Sequence, residues 1–158
     1  MLYFVLKYVH LIGAAVLLGT GAGIAFFMLM AHRTGDAAII AGVARIVVIA
    51  DFVFTATAVI VQPVSGIALA REAGYALSEG WIVASIALYL VTGAFWLPVV
   101  WMQMQMRDLA EAAVAERAPL PSHYHRLFRT WFAFGFPAFV AVLVIFWLMI
   151  ARPDISLS

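Results

Sequence analysis

The side chains of this sequence that could do chemistry are few, and most stand inside long apolar runs. His10 is the one histidine well inside such a run. Imidazole is the commonest metal ligand and the side chain that titrates near neutral pH. Gln62, Tyr89 and Met149 lie in later apolar runs at positions that should match the depth of His10. Four ligating or hydrogen-bonding groups are therefore expected in one layer. A His with a Met or a second His is a familiar axial pair for haem iron, so His10 is the candidate ligand of haem b, with Met149, Gln62 and Tyr89 as its companions. The alternative for His10 is a hydrogen-bonded core histidine with no ligand.

Asp51 is the second candidate. At about 100° per residue, Asp51, Thr55, Ala58, Gln62, Ser65 and Gly66 project within an arc of roughly 100°, and Ser85, Tyr89, Thr92, Trp96 and Gln103 share an arc of roughly 60°. Polar groups facing lipid are costly, so both stripes are expected to face the interior as a polar seam. An ionised carboxylate in a span costs about 2.5–3.5 kcal/mol on insertion scales unless paired or protonated. Arg45, Arg126 and Arg129 are the candidate ion-pair partners, and a protonated, proton-handling carboxyl is the alternative. A third group lies near the other face: Met102, Met104 and Met106, followed by His123-x-His125. Thioether and imidazole together suit Cu(I). Only Met102 and Met106 share a helix face, so a copper site would rest on Met102, Met106, His123 and His125, against plain packing of the methionines.

These residues must be positioned by membrane helices. Of 158 residues, 66% are hydrophobic and 11% charged, against about 45–50% and about 25% in an average soluble domain. No soluble fold of this size hides that much apolar surface. A crossing needs about 20 predominantly apolar residues, and four stretches qualify, at 3–31, 44–70, 81–106 and 127–151. The opening run reads as a retained span and not a cleaved signal, because no small-residue cleavage site clearly ends it. The fold class expected is an all-α membrane protein, an antiparallel bundle of four transmembrane helices forming a single domain over 1–158, joined by loops short enough for up-down-up-down order. Gly19-x-x-x-Gly23 in span one permits close helix approach. Arg33, Arg45, Arg107, Arg117, Arg126 and Arg129 fall on one side and Lys7, Arg71 and Arg152 on the other. The positive-inside rule then puts both termini on the outer, periplasmic side.

Composition also excludes. A net charge of +1 with scattered basic residues gives no footprint for nucleic acid. The absence of cysteine rules out disulfides, iron–sulfur clusters and thiolate metal sites. There is no phosphate loop, no H-E-x-x-H and no nucleophile elbow, which sets hydrolases and nucleotide-driven machines aside. Four spans are a poor fit to the larger repeat-built transporters, whereas a homo-oligomeric carrier stays open.

The stretches LKYVHLIGAAVLLGTGAG, QPVSGIALA, LYLVTGAFWLPVVWMQMQMRDLA and WFAFGFPAFVAVLVIFWLMIARP resemble a bacterial family of predicted integral membrane proteins, domain of unknown function family 2269. The resemblance covers all four spans and implies a bacterial inner-membrane location. More distantly, Lys7-x-x-His10 is similar to the opening of HemJ-type haem-biosynthesis and CopD-type copper-resistance membrane proteins. That similarity implies a haem-b-associated redox bundle with His10 as ligand. HemJ-type chains carry a His and a Lys early in span three after Gly-Trp, where Val83 and Ser85 follow Gly80-Trp81 here. The group opposite His10 is then left to Met149, Tyr89, water or a partner subunit. The functions expected, in order, are a redox or electron-transfer module, which as an enzyme would be an oxidoreductase; an accessory or assembly subunit of a larger membrane complex; and copper handling.

Overall fold

The computed structural model describes residues 1–155, which form no strand and four helices long and apolar enough to cross a membrane. They are α1 (Leu2–Thr34), α2 (Ala37–Glu72), α3 (Gly80–Glu116) and α4 (Ser122–Ala151). At 1.5 Å per residue each is about 45–55 Å long, so their ends outrun a hydrocarbon core of about 30 Å.

Local chemistry sets the boundaries. Gly35, at φ +67°, takes the left-handed conformation that ends α1, and the next residue, Asp36, starts α2 by accepting from the Ala38 N–H at 2.7 Å and the Ile39 N–H at 3.3 Å. That leaves a two-residue connection. The expected start of the second span near 44 is where the apolar run thickens; the cap begins the helix seven residues earlier. Arg117 closes α3 at φ +52°, and Pro119 and Pro121 keep the chain extended before Ser122.

Contacts between helices pair rising residue numbers with falling ones. His10 meets Ser65 across α1 and α2. Arg45 meets Glu111 and Tyr89 meets Val59 across α2 and α3, while Phe95 meets Phe134 across α3 and α4. At the end carrying the α1–α2 turn, all four helices share one apolar core, which includes Met28, Ile40, Met106 and Phe128. A smaller cluster of Trp81, Ile82 and Leu148 lies at the opposite end. Large apolar side chains such as Phe4, Phe26, Ile60, Leu90 and Trp147 are exposed. A water-soluble surface would not carry so many.

Two glycines make the α1–α2 contact close. A Cβ on Gly13 would come within 2.5 Å of the Gln62 amide tip, and one on Gly66 within 2.9 Å of His10 Cε1. Among the described residues the close approach expected at Gly19-x-x-x-Gly23 is not made: a Cβ on Gly19 would meet nothing within 4 Å, and one on Gly23 only Phe27 of its own helix. The glycine spacing could not say which face of α1 meets α2.

Candidate functional site

Helix α2 carries the seam, and it is distorted where the seam begins. Residues Asp51–Thr55 form a π turn between two α-helical halves. Such a turn inserts one residue into the helix and recurs at functional sites. Asp51, at its start, is buried, with 3% of the residue exposed. Trp96 Nε1 donates to Asp51 Oδ1 at 3.3 Å. The Gln103 amide, oriented by its partners, donates to Oδ2 at 2.6 Å and accepts from Trp131 Nε1 at 3.3 Å. One carboxyl thus ties α2 to α3, and through Gln103 to α4.

Among the described residues no arginine partners Asp51. Arg45 instead bonds Glu111, with Nη2 at 2.8 Å from Oε1, while Arg126 and Arg129 are exposed on α4. The helical wheel gives the reason, since six residues separate Arg45 from Asp51 and leave its side chain roughly 120° away from the seam.

Farther along the seam, Pro63 has no N–H to give the carbonyl of Val59, four residues earlier. Tyr89 supplies the missing donor from α3, its hydroxyl bonding Val59 O at 2.5 Å. The hydroxyls of Ser85 and Thr92 turn back on their own helix, to the carbonyls of Trp81 and Leu88. They hold α3 together and leave Tyr89, Trp96 and Gln103 to reach across.

His10 sits between α1 and α2. Its Nδ1 lies 3.1 Å from Ser65 Oγ. Ser65 spends its only hydroxyl proton on the carbonyl of Val61, at 2.7 Å. Toward the imidazole it can therefore only accept, so Nδ1 carries the ring proton and Nε2 keeps its lone pair. No hydrogen bond to Nε2 occurs among the described residues. The ring rests on Gly66, which leaves it room.

The companions expected around the ring are engaged elsewhere. Gln62 grips the α1 backbone, donating to His10 O at 2.9 Å and accepting from the Ala14 N–H at 3.3 Å. Tyr89 is held on Val59, and Met149 packs on the Trp81–Ile82–Leu148 cluster. His10 and Gln62 are brought together, but through backbone. Depth along the membrane was readable from residue counts; rotation about each helix was not.

At the opposite end of the bundle, His32, on the last turn of α1, stacks on Phe128 at 3.6 Å between ring centroids, and its Nδ1 lies 3.3 Å from the hydroxyl of the fully buried Tyr124. His125 packs edge-on to His32 at 5.7 Å. Sequence reasoning passed over His32 and Tyr124; the one available signal was Tyr124 and Phe128 at helical spacing, opposite a histidine at a helix end. Of the expected copper ligands, Met102 and Met106 are sunk in the apolar core, whereas His123 and His125 are exposed. No group of three or more His, Asp or Glu among the described residues is placed to hold a metal ion.

A family of predicted integral membrane proteins, DUF2269, matches residues 4–153, nearly the whole chain. The chain belongs to that family. Comparison with curated proteins and with solved structures gave no match. Membership of DUF2269 makes the four apolar helices membrane spans in contact with lipid, and it carries no activity with it. Of the residues expected to hold haem, His10 keeps a ligating atom, Nε2, with no hydrogen bond among the described residues, whereas Gln62 and Tyr89 are engaged elsewhere and Met149 packs in an apolar cluster.

Proposed function

We propose that this protein is a small redox or electron-transfer module of the bacterial inner membrane, with haem b held through Nε2 of His10. The observation that supports it is the hydrogen-bond order at Ser65, which leaves His10 with a basic Nε2 and a fixed ring. Ligating histidines usually carry a hydrogen-bonding partner of this kind on the other nitrogen. Haem would supply one-electron chemistry there. The protein's own part is narrower. Ser65 holds the tautomer, Gly66 leaves space for the ring, and Gln62 clamps the backbone on which His10 stands.

The topology that goes with this reading is an up-down-up-down bundle with both termini periplasmic. The alternation of rising and falling contact pairs and the excess of arginine at the α1–α2 turn and α3–α4 loop both support it.

The test is a reduced-minus-oxidised spectrum of the detergent-purified protein after haem-replete expression. Soret and α-band changes should appear in wild type and in Met149→Leu, and vanish in His10→Ala. Their absence from wild type would reject the reading. A second reading, an accessory subunit of a larger membrane complex, is favoured by the engagement of Gln62, Tyr89 and Met149 elsewhere, which would leave any further ligand to a partner. Native mass spectrometry of solubilised membranes discriminates, because a free monomer or pure homo-oligomer leaves no room for it. Copper handling is not carried further, since Met102 and Met106 are packed among apolar side chains.

A further inference from the structure

Five hydroxyls inside these helices follow one rule, and Thr55 departs from it. Thr57, Ser65, Ser85, Thr92 and Thr130 each donate to the carbonyl four residues before them. Thr55 is buried, and its hydroxyl has no partner. Thr55 closes the π turn, whose first carbonyl, that of Asp51, accepts from the Ala56 N–H. An unpartnered buried hydroxyl therefore stands one turn from a buried carboxyl, on the same helix face.

The surroundings of that carboxyl hold no compensating charge. Among the described residues its two oxygens meet only neutral groups, the donors Trp96 and Gln103 and, beside them, the Thr55 hydroxyl. On α2 the nearest basic group, Arg45, is bound to Glu111. On α3, Tyr89 bonds Val59 and Arg107 bonds Asp108. On α1, His10 is on Ser65 and His32 on Tyr124, while Lys7 and Arg33 stand near the helix ends. On α4, which reaches Asp51 only through Trp131 and Gln103, Arg126 and Arg129 are exposed. A lone carboxylate has little to hold it there; a neutral acid has a donor for each oxygen and, in Thr55, an acceptor for its own proton.

We infer that Asp51, Thr55, Trp96 and Gln103 form a proton-binding site within the membrane, with Asp51 carried as the neutral acid and its proton directed to Thr55 Oγ1. The site is separate from His10 and stands whether or not haem is bound. It lies one helix width from lipid, because Phe52, Val53 and Phe54 beside it are exposed.

An apolar carbodiimide tests this on the full-length protein in phosphatidylcholine vesicles. The acid proton passes to a carbodiimide nitrogen, the carboxyl oxygen bonds to the central carbon, and acyl migration to nitrogen leaves a stable N-acylurea; the reagent is added whole, with no redox partner. Peptide mass spectrometry should find the adduct on Asp51, with a yield that falls as pH rises from mildly acid to alkaline. A water-soluble carbodiimide should mark Glu111 and Asp108 instead. Thr55→Val, which removes the acceptor, should lower the Asp51 yield several-fold at a fixed mildly acid pH, while Thr55→Ser should keep it. The infrared carbonyl band of a protonated carboxyl should be present in wild type and missing in Asp51→Asn. No adduct on Asp51 at any pH, or no such band, overturns the inference. Protection by sodium at constant pH also overturns it, because the site would then take an alkali cation, and equal yields in Thr55→Val and wild type remove Thr55 from it.

Discussion

Tyr89→Phe offers the sharpest measure of how α2 and α3 are joined, because the bond it deletes exists only on account of a proline. Pro63 removes the N–H that would serve Val59 O within α2, and the Tyr89 hydroxyl replaces it from the neighbouring helix. Deleting the hydroxyl leaves a carbonyl without a donor in a region where water cannot substitute. An orphaned buried polar group costs about 1–3 kcal/mol, whereas interhelical bonds in membranes average about 0.6 and reach about 1.7 kcal/mol. An acceptor already deprived of its helical donor belongs toward the upper end of the membrane range, so Tyr89→Phe should cost about 1–2 kcal/mol. Pro63→Ala restores the N–H to α2, and in that background Tyr89→Phe should cost no more than a few tenths of that loss. Reversible unfolding in mixed micelles, run on wild type, both single variants and the double variant, gives the coupling directly. Equal cost of Tyr89→Phe in the two backgrounds would refute the reasoning, for the tyrosine would then be contributing packing and not a replacement donor.

Three further outcomes are expected. Gly66→Ala drives a methyl against the His10 ring and should destabilise by about 1–3 kcal/mol as an overpacked contact, while Gly19→Ala, with nothing within 4 Å of the new Cβ, should be neutral or slightly stabilising in the same unfolding assay. Asp36→Ala removes both capping bonds of α2 and should cost about 1 kcal/mol, with Asp36→Asn close to wild type; unfolding midpoints in mixed micelles check both. Breaking the Arg45–Glu111 pair with Glu111→Gln should cost less than about 1 kcal/mol and be insensitive to the state of Asp51, since the two side chains are 65% and 38% exposed and point away from the seam; a thermal denaturation series of single and double variants with Asp51→Asn reads this.

The architecture was legible because apolar length is a one-dimensional signal, and the four stretches each became a helix. The polar stripes were legible for a related reason. A helical wheel needs only the residue count, and Asp51, Trp96, Gln103 and Tyr89 do reach across between α2 and α3. What the count could not supply was rotation between helices and departures from 3.6 residues per turn. The layer of His10, Gln62, Tyr89 and Met149 was set by depth alone, and it came apart because Gln62 turns to backbone and Met149 to the Trp81 cluster. Arg45 was matched to Asp51 by nearness in sequence, although the wheel already turns it aside. The π turn had no signature in residue type, since Asp-Phe-Val-Phe-Thr is an unremarkable membrane run.

The departures from regular helix collect on α2, and each exposes a backbone or side-chain group that a neighbouring helix then uses. At the π turn Thr55 is unpaired beside Asp51. Pro63 frees Val59 O for Tyr89. One residue before that proline, Gln62 reaches out to the His10–Ala14 stretch of α1 at the point where Gly13 lets it in. A bundle built for packing alone would keep every such group inside its own helix, because lipid offers no substitute partner. Here α2 is instead fastened on one side to the segment bearing His10 and on the other to the pair that holds Asp51. Any ligand that moved His10 would pull on Gln62 and Ser65, and therefore on the half of α2 that begins at the π turn. Were the proposed haem and proton sites both filled, that mechanical continuity would let an electron-carrying group at His10 and a proton at Asp51 sense each other. It would show as an Asp51→Asn effect on the His10-dependent spectrum, with no change in the amount of haem bound.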